Sequence, residues 1–420
     1  MKLKRNKENK YMRFGYWYYI VTLLALLSTT DGNAKSFITI TATNTTQHQR
    51  QEVVAWNAKD VWQQLGVKDG SSLIVKNPYG QTVTHQITHD GRLLLDVSVR
   101  PKGTAEFSVE QGNSADFKSY VFGKQYAWRV DDITWENDIA AYRVYGPALQ
   151  RSGEKAYGID VWLKSTKELD VDHRYAVTWQ SNIDKAFFRS IGNKEGVDFV
   201  DRATSFHLDH GQGLDCYNVG PSLGCGTPTL MLGDSLVMPY CYKDYEILDN
   251  GPLEFTLSLT YPTVNITGQN VTEHRLISLA KGSNFNRMTV WYDGMTRPMD
   301  IAGGFVVHTS ASEDLTLSKD FIAYDDPTDS YERHNFQIYV AAIFPEGGVK
   351  TRFVPDNNHL KQGIYGNAVG VKRGIKAGEK FSYWFGASWC QSGTPDHDFW
   401  MMQIERFKEN LAKPIITSIK

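Results

Sequence analysis

The chain has 420 residues, 41% of them hydrophobic and 22% charged, with a formal net charge of −2. That length allows one large or two smaller domains with a substantial core. The near-neutral balance, with no basic run interleaved with aromatics, argues against a nucleic-acid partner. Aromatics reach 13%, including 11 Trp and 22 Tyr, a richness that suits sugar-stacking surfaces and equally suits the strands of a large sheet.

At the N-terminus, Lys2, Lys4, Arg5, Lys7, Lys10 and Arg13 precede an apolar run from Tyr16 to Leu27, and Gly32-Asn33-Ala34 fits a small-x-small cleavage pattern. The pattern predicts a signal peptide over residues 1–34 with cleavage after Ala34; a retained signal anchor is the alternative. No later stretch reaches about 18 uninterrupted apolar residues. The mature chain is therefore expected to be exported, periplasmic or secreted, and outside the membrane once the signal is removed. Export permits disulfides. Cys216–Cys225 or Cys225–Cys241 bridges would brace the segment around them, and free thiols among Cys216, Cys225, Cys241 and Cys390 fit as well.

Residues 35–115 read as a small N-terminal β unit. Alternation over Ser36 to Thr41, the run Ser72 to Val75 and a second alternation from Arg92 to Val99 are strands. Between them Asn57 caps one or two helical turns that put Val61, Trp62 and Leu65 on one face. Residues 116–420 read as the main catalytic domain. Its strand candidates include Phe122 to Val130, Ile139 to Tyr145, Gly158 to Leu163, Leu253 to Tyr261, Thr272 to Leu279, Asn286 to Tyr292, Gly303 to His308, Phe336 to Ala342 and Lys380 to Ala387. Long helical periods are scarce apart from Pro395 to Leu411 near the end. The expected fold is all-β, with antiparallel sheets packed face to face.

The segment from Phe206 to Thr227 reads as neither helix nor strand. It concentrates His207, Asp209, His210, Asp215 and Tyr217 among five glycines. Glycine at that density lets a loop hold polar groups close to a ligand. His207 and His210 suit an acid–base role, a metal site or structural hydrogen bonds. Tyr217 can fold back across Gly211 and Gly213 toward an imidazole. Such a His/Tyr set fits β-elimination next to a uronate carboxylate, with Arg202 as the nearest group to neutralise that carboxylate. A second cluster runs from Trp135 through Asn137 to a strand that places Arg143 and Tyr145 on one side, where both can face a cleft and hold an anionic sugar. Neither a phosphate loop nor a G-x-S-x-G elbow is present.

Three stretches in order carry a resemblance: Trp135-Glu136-Asn137-Asp138 with Tyr142 to Leu149, then Gly158-Ile159-Asp160-Val161-Trp162, then Asp209 to Gly220. They resemble a domain-of-unknown-function family of exported bacterial proteins encoded in polysaccharide utilisation loci, and the likeness covers nearly all of the mature chain. One member is described as an oligosaccharide dehydratase of ulvan degradation. It removes water from a non-reducing-end glucuronate or iduronate to give a 4,5-unsaturated uronate. The resemblance implies a β supersandwich like that of galactose mutarotases, and a carbon–oxygen lyase acting on an anionic oligosaccharide. On the reading of the residues, His207 or His210 is the base and Tyr217 the acid, or the reverse. Arg202, Arg143, Tyr145, Trp135 and Asn137 then bind substrate. No cofactor is called for, and a divalent metal stays open. The alternatives are a polysaccharide lyase that cleaves the chain and a non-catalytic glycan-binding protein. Oligomeric state is open.

Overall fold

The computed structural model describes residues 36–113, 116–310, 312–327 and 336–420. The expected signal peptide over residues 1–34 lies outside them. Among the described residues no helix is long and apolar enough to cross a membrane.

The first unit is a small sandwich. One sheet orders Ile416–Ile419, Ile38–Thr43, Thr104–Gln111 and Leu73–Lys76; the other orders Arg50–Asn57, Arg92–Val99 and His85–Ile87. Alternation along these strands buries Ile38, Ile40, Val97 and Val109 between the sheets. The expected helix is there as Ala58–Leu65. Asn57 Oδ1 accepts from the Asp60 N–H at 3.2 Å, and Val61, Trp62 and Leu65 are buried. The edge strand Ile416–Ile419 comes from the far end of the chain, with Ile419 opposite Ile40, so the two termini of the described chain meet in one sheet.

The larger unit is built from antiparallel sheets whose inner faces share one core. A nine-stranded sheet runs from Asp244–Asn250 through Glu254–Thr260, Gln269–Ala280, Phe285–Asp293, Phe381–Trp389, Ile338–Ile343 and Phe321–Asp326 to Leu315–Leu317, with Val264–Ile266 paired to one side. A five-stranded sheet orders Ser235–Val237, Cys225–Leu232, Met299–Val307, Gly366–Ile375 and Val349–Pro355. Phe305, Val340, Tyr383 and Phe385 fill the space between them. Close packing here needs glycine at position 226. Its φ is +92°, and a Cβ would stand 2.0 Å from the Phe385 ring. The helix His397–Ala412 covers the outer face of the large sheet, pressing Trp400 and Ile404 on Phe285, Phe321 and Tyr339. Burying a side chain such as Ile404 contributes roughly 1.5–3 kcal/mol. The expected all-β antiparallel sandwich is the observed architecture.

A four-stranded sheet, Asp160–Leu163, Ala140–Val144, Asp132–Glu136 and Phe122–Tyr126, flanks this core. Trp135 stacks on Tyr142 and on Phe255, locking the sheet to its larger neighbour. Two helices not expected from the sequence, Val171–Ser190 and Lys194–Thr204, stand beside it. Only the start of the longer helix presents a buried apolar face, through Val171 and Tyr175. Further along, Trp179, Ile183 and Phe187 continue the i, i+4 spacing of Val171 and Tyr175 but are exposed, so the stripe meets the core only at its start.

Candidate active site

The glycine-rich segment is a loop along the edge strand Asp160–Leu163, giving way to strand at Cys225. Leu163 and Leu214 exchange backbone hydrogen bonds at 2.9 and 3.1 Å, and the Cys225 N–H donates to the Ile159 carbonyl at 2.7 Å. Gly213 makes this approach possible: its φ is +103°, and a Cβ would lie 2.1 Å from the Leu163 carbonyl oxygen. Asp209 Oδ1 closes the preceding turn by accepting from the Gly211 and Gly213 N–H groups at 2.8 and 2.9 Å.

The loop's far side forms one wall of a cavity of about 620 Å³ lined by Arg129, Arg143, Tyr145, Glu154, Lys155, His207, Asp215, Tyr217, Asn218, His359 and Gln362, among others. Small-ligand sites span roughly 300–1,000 Å³. The His207 Nδ1–H donates to the Asp215 carbonyl at 2.7 Å, which leaves the lone pair of the neutral ring on Nε2. His359 is set in the same manner, with Nδ1 held by Asp356 at 2.7 Å. The segments carrying the two imidazoles are tied together where Asn218 Nδ2 donates to the Gln362 carbonyl at 2.9 Å.

Arg143 and Tyr145 do share a side of their strand, and both line the cavity. Arg143 is nevertheless committed to its own surroundings. Its Nη2 reaches Asp160 at 2.5 Å and Asp215 at 3.0 Å, Asp132 stands 3.7 Å from Nη1, and the guanidinium packs over the Tyr145 and Trp162 rings. Three carboxylates on one buried cation are more charge than it balances. Burial, reinforced by Asp215 and opposed by Arg143, pushes the Asp160 carboxyl up to about 7. Burial also carries the Tyr145 phenol well above its ordinary value, with Asp160 adding to the rise and Arg143 opposing it.

Among the described residues Arg129 and Lys155 make no close ion pair or side-chain hydrogen bond with a carboxylate, although Arg129 acts on the buried Asp132 from a distance and Glu154 lines the same cavity. Arg129 is followed by Val130 at φ +48° and Asp131 at φ +66°. A β-branched residue rarely adopts that conformation, and such strain gathers at functional sites. Here it is held by Tyr242 Oη donating to the Asp131 carbonyl at 2.5 Å and by the Ala148 N–H on the Asp131 carboxylate at 3.1 Å.

The other expected site residues are placed less favourably. Tyr217 lines the cavity but is only 4% exposed, and its hydroxyl donates to the Gly224 carbonyl at 3.2 Å. Burial, with Asp326 adding, holds the phenol well above its ordinary value, so it is a poor source of a basic phenolate. His210 faces a separate hollow of about 170 Å³ beside helix Val171–Ser190, where Nε2 donates to the Ser205 carbonyl at 3.0 Å. Arg202 is exposed on helix Lys194–Thr204 and lines neither hollow; the neighbouring Asp201 bonds Lys185 at 2.9 Å. Trp135 is fully buried and donates from Nε1 to Asn286 at 2.7 Å. Asn137 is fully buried as well, bridging its own turn to the carbonyls of Ala280 and Ser283. Cys225, Cys241 and Cys390 are free thiols, so neither bridge considered above forms and the loop is braced by hydrogen bonds.

Sequence reasoning missed His359, Asp356, Arg129 and Lys155. The Asp356-Asn357-Asn358-His359 turn carried a signal, a carboxylate three residues before an imidazole, but nothing linked it to a loop about 140 positions earlier. It also missed His308, whose Nδ1 faces Asp326 at 2.9 Å and whose Nε2 donates to the Asn218 carbonyl at 2.7 Å. Burial alone would lower its pKa; the Asp326 carboxylate and the Asn218 carbonyl raise it. This imidazolium braces the loop from behind. Among the described residues no group of three or more His, Cys, Asp or Glu is placed to hold a metal ion.

An antiparallel β-sandwich with a polar, imidazole-lined cavity at a glycine-rich loop is the class of protein that fold and site define. Residues 42–416 match the family described as domain of unknown function DUF4861, and the chain belongs to that family. It is 26% identical over 342 residues to uncharacterized protein P7 of Formosa agariphila, covering 78% of each chain. Its fold resembles part of an α-mannosidase from Enterococcus faecalis V583, with a TM-score of 0.50 and 9% identity. That likeness covers 92% of this chain and spans less than half, 46%, of the mannosidase chain.

Proposed function

We propose that this protein is an exported oligosaccharide dehydratase, a carbon–oxygen lyase that removes water from the non-reducing-end uronate of ulvan-type acidic oligosaccharides. The observation that carries the reading is the pairing of two imidazoles, each oriented through Nδ1, with the cations Arg129 and Lys155 in one cavity. The resemblance of the three motifs to a dehydratase-containing family supports it.

In this mechanism the uronate carboxylate lies against Arg129 and Lys155, which disperse the charge that builds as C5 is deprotonated. His207 Nε2 takes the C5 proton. His359, steadied by Asp356, gives a proton to the C4 hydroxyl as it leaves. The C5–H and C4–O bonds break, the C4=C5 double bond forms and one water departs; exchange with solvent then resets both imidazoles. Tyr145 is a hydrogen-bond donor to the sugar, and Arg143 positions it from below. His210 and Arg202 have no part in this scheme, and Tyr217 shapes the cavity wall.

The test is incubation with ulvan-derived oligosaccharides, following the absorbance of the conjugated uronate and the number of reducing ends together. Absorbance that rises while reducing ends stay constant supports dehydration. If both rise in step, the enzyme is a chain-cleaving lyase using the same groups. If neither changes across several uronates, the protein binds glycans without transforming them.

A further inference from the structure

The helix Val171–Ser190 leaves the body of the molecule with its apolar stripe still running. Each i, i+4 step turns about 40° round the axis. The stripe that Val171 and Tyr175 lay on the core therefore winds outward to Trp179, Ile183 and Phe187, which are 52%, 51% and 59% exposed. The neighbouring helix Lys194–Thr204 packs on a different face. There Thr204 Oγ1 meets Ser181 Oγ at 2.8 Å, Lys185 pairs with Asp201 at 2.9 Å, and a Cβ on Gly196 would stand 2.3 Å from the Phe188 ring. Trp128 joins the exposed stripe edge-on to Trp179, with ring centroids 5.1 Å apart.

Charge and symmetry together select the occupant of this face. Ala176, Gln180, Ala186 and Ser190, which border the large side chains, are exposed and uncharged. Asp184 and Arg189 fall about 100° or more from Ile183 round the helix, one to each side. A helix that lies on a membrane lines its polar face with Lys and Arg, and a charged partner would call for opposite charge here. The order of residues is symmetrical about Ile183. Four positions away on either side stand aromatic rings, Trp179 and Phe187, and seven positions away stand small residues, Ala176 and Ser190. A two-fold contact needs one patch that complements itself. Laid antiparallel on a second copy with Ile183 at the axis, Trp179 meets the other copy's Phe187, and Ala176 meets the other Ser190, where the backbones can approach. The exposed rings and the short side chains around them offer on the order of 500–600 Å² per copy, so a pair would bury roughly 1,000–1,200 Å², the range of specific but reversible contacts. We propose that two copies of this chain associate through helix Val171–Ser190, each against its antiparallel counterpart. The contact does not depend on the dehydratase reading.

Sedimentation velocity on the full mature chain, from about 1 to about 200 µM, tests it. The mass is expected to rise from monomer to dimer and no further, because a two-fold contact closes on itself. Ile183→Asp sets two carboxylates together at the axis and is expected to weaken association about tenfold or more. Phe187→Ser, which removes the ring facing Trp179, is expected to weaken it as well. Both positions are exposed, and circular dichroism should show the fold unchanged. Ile183→Lys should weaken association in the same way, whereas mixing the Ile183→Asp and Ile183→Lys chains should restore it, since the two positions face each other. A natural chain that stays monomeric throughout, a dimer indifferent to Ile183→Asp and Phe187→Ser, or a mixture no tighter than either chain alone would each overturn the inference. A monomeric natural chain retained by phosphatidylcholine vesicles, with retention lost in Ile183→Asp, would overturn it in favour of a membrane.

Discussion

His207 is oriented by a backbone carbonyl. Because the Asp215 oxygen needs a donor, the ring's proton sits on Nδ1 and the lone pair on Nε2. His207→Ala is therefore expected to lower kcat by about 10²–10⁴-fold, the usual worth of a positioned proton-transfer group. His210→Ala, three residues on but in another hollow, is expected to stay within about twofold. Steady-state kinetics on the two variants, with circular dichroism to check folding, decides the point; equal losses would return His210 to the mechanism. Asp160 offers a test at the same scale. Its carboxyl is raised to about 7 from an unfolded value near 3.8, mainly by burial and next by Asp215. The folded state thus holds a proton that the unfolded chain releases. The stability it contributes is fully present below the unfolded value and lost as pH rises through about 7. Thermal melts should show Asp160→Asn losing ground to the natural chain as pH is lowered from about 8 to about 5. A gap independent of pH would contradict the assignment.

Among the elements, the glycine-rich loop bears the most on function, and its glycines are not equivalent. Gly211 and Gly213 both have positive φ, +99° and +103°, but a Cβ on Gly211 meets open space whereas one on Gly213 runs into the Leu163 carbonyl. Both substitutions to Ala pay the backbone strain of about 1–3 kcal/mol. Gly213→Ala must also pry the loop from its strand, so urea unfolding should find it the less stable of the two, with the greater loss of turnover. Strands were legible where their alternation survives in the sequence: Arg92–Val99, in the N-terminal unit, appears with the bounds its pattern gives. The helix Val171–Ser190 was missed although Val171, Tyr175, Trp179, Ile183 and Phe187 recur at i, i+4 spacing, a stripe of which the last three members lie exposed. Within the site, the loop's role as a cavity wall could be read from its glycines. Trp135 and Asn137 misled because a bracketing aromatic and amide look alike whether they face a ligand or, as here, bond within a core turn. His359 and Arg129 were invisible because only the folded sheets bring positions 129, 207 and 359 to one hollow.

At the scale of the whole molecule, the N-terminal unit is fastened to the rest from several sides. Arg92 pairs with Glu254 at 2.7 Å, His89 with Asp249 at 2.6 Å, and Arg50 donates to the Lys413 carbonyl at 2.5 Å. The C-terminal strand then completes its sheet. Removing residues 414–420 should uncover the edge of Ile38–Thr43 and lower the melting temperature, with amide exchange in that strand accelerating before exchange in Phe381–Trp389. Uniform acceleration through both strands would mean that the two units unfold as one. The larger sandwich supplies the walls, and the proposed chemistry sits where its loops converge. The claim that this convergence makes a dehydratase is tested most directly by the mass spectrum of a uronate-ended oligosaccharide before and after incubation with the natural chain and with His207→Ala. The account predicts the loss of one water at unchanged chain length with the natural chain, and none on the same timescale with the variant. An unchanged mass with the natural chain, or a water loss that His207→Ala leaves intact, would contradict it.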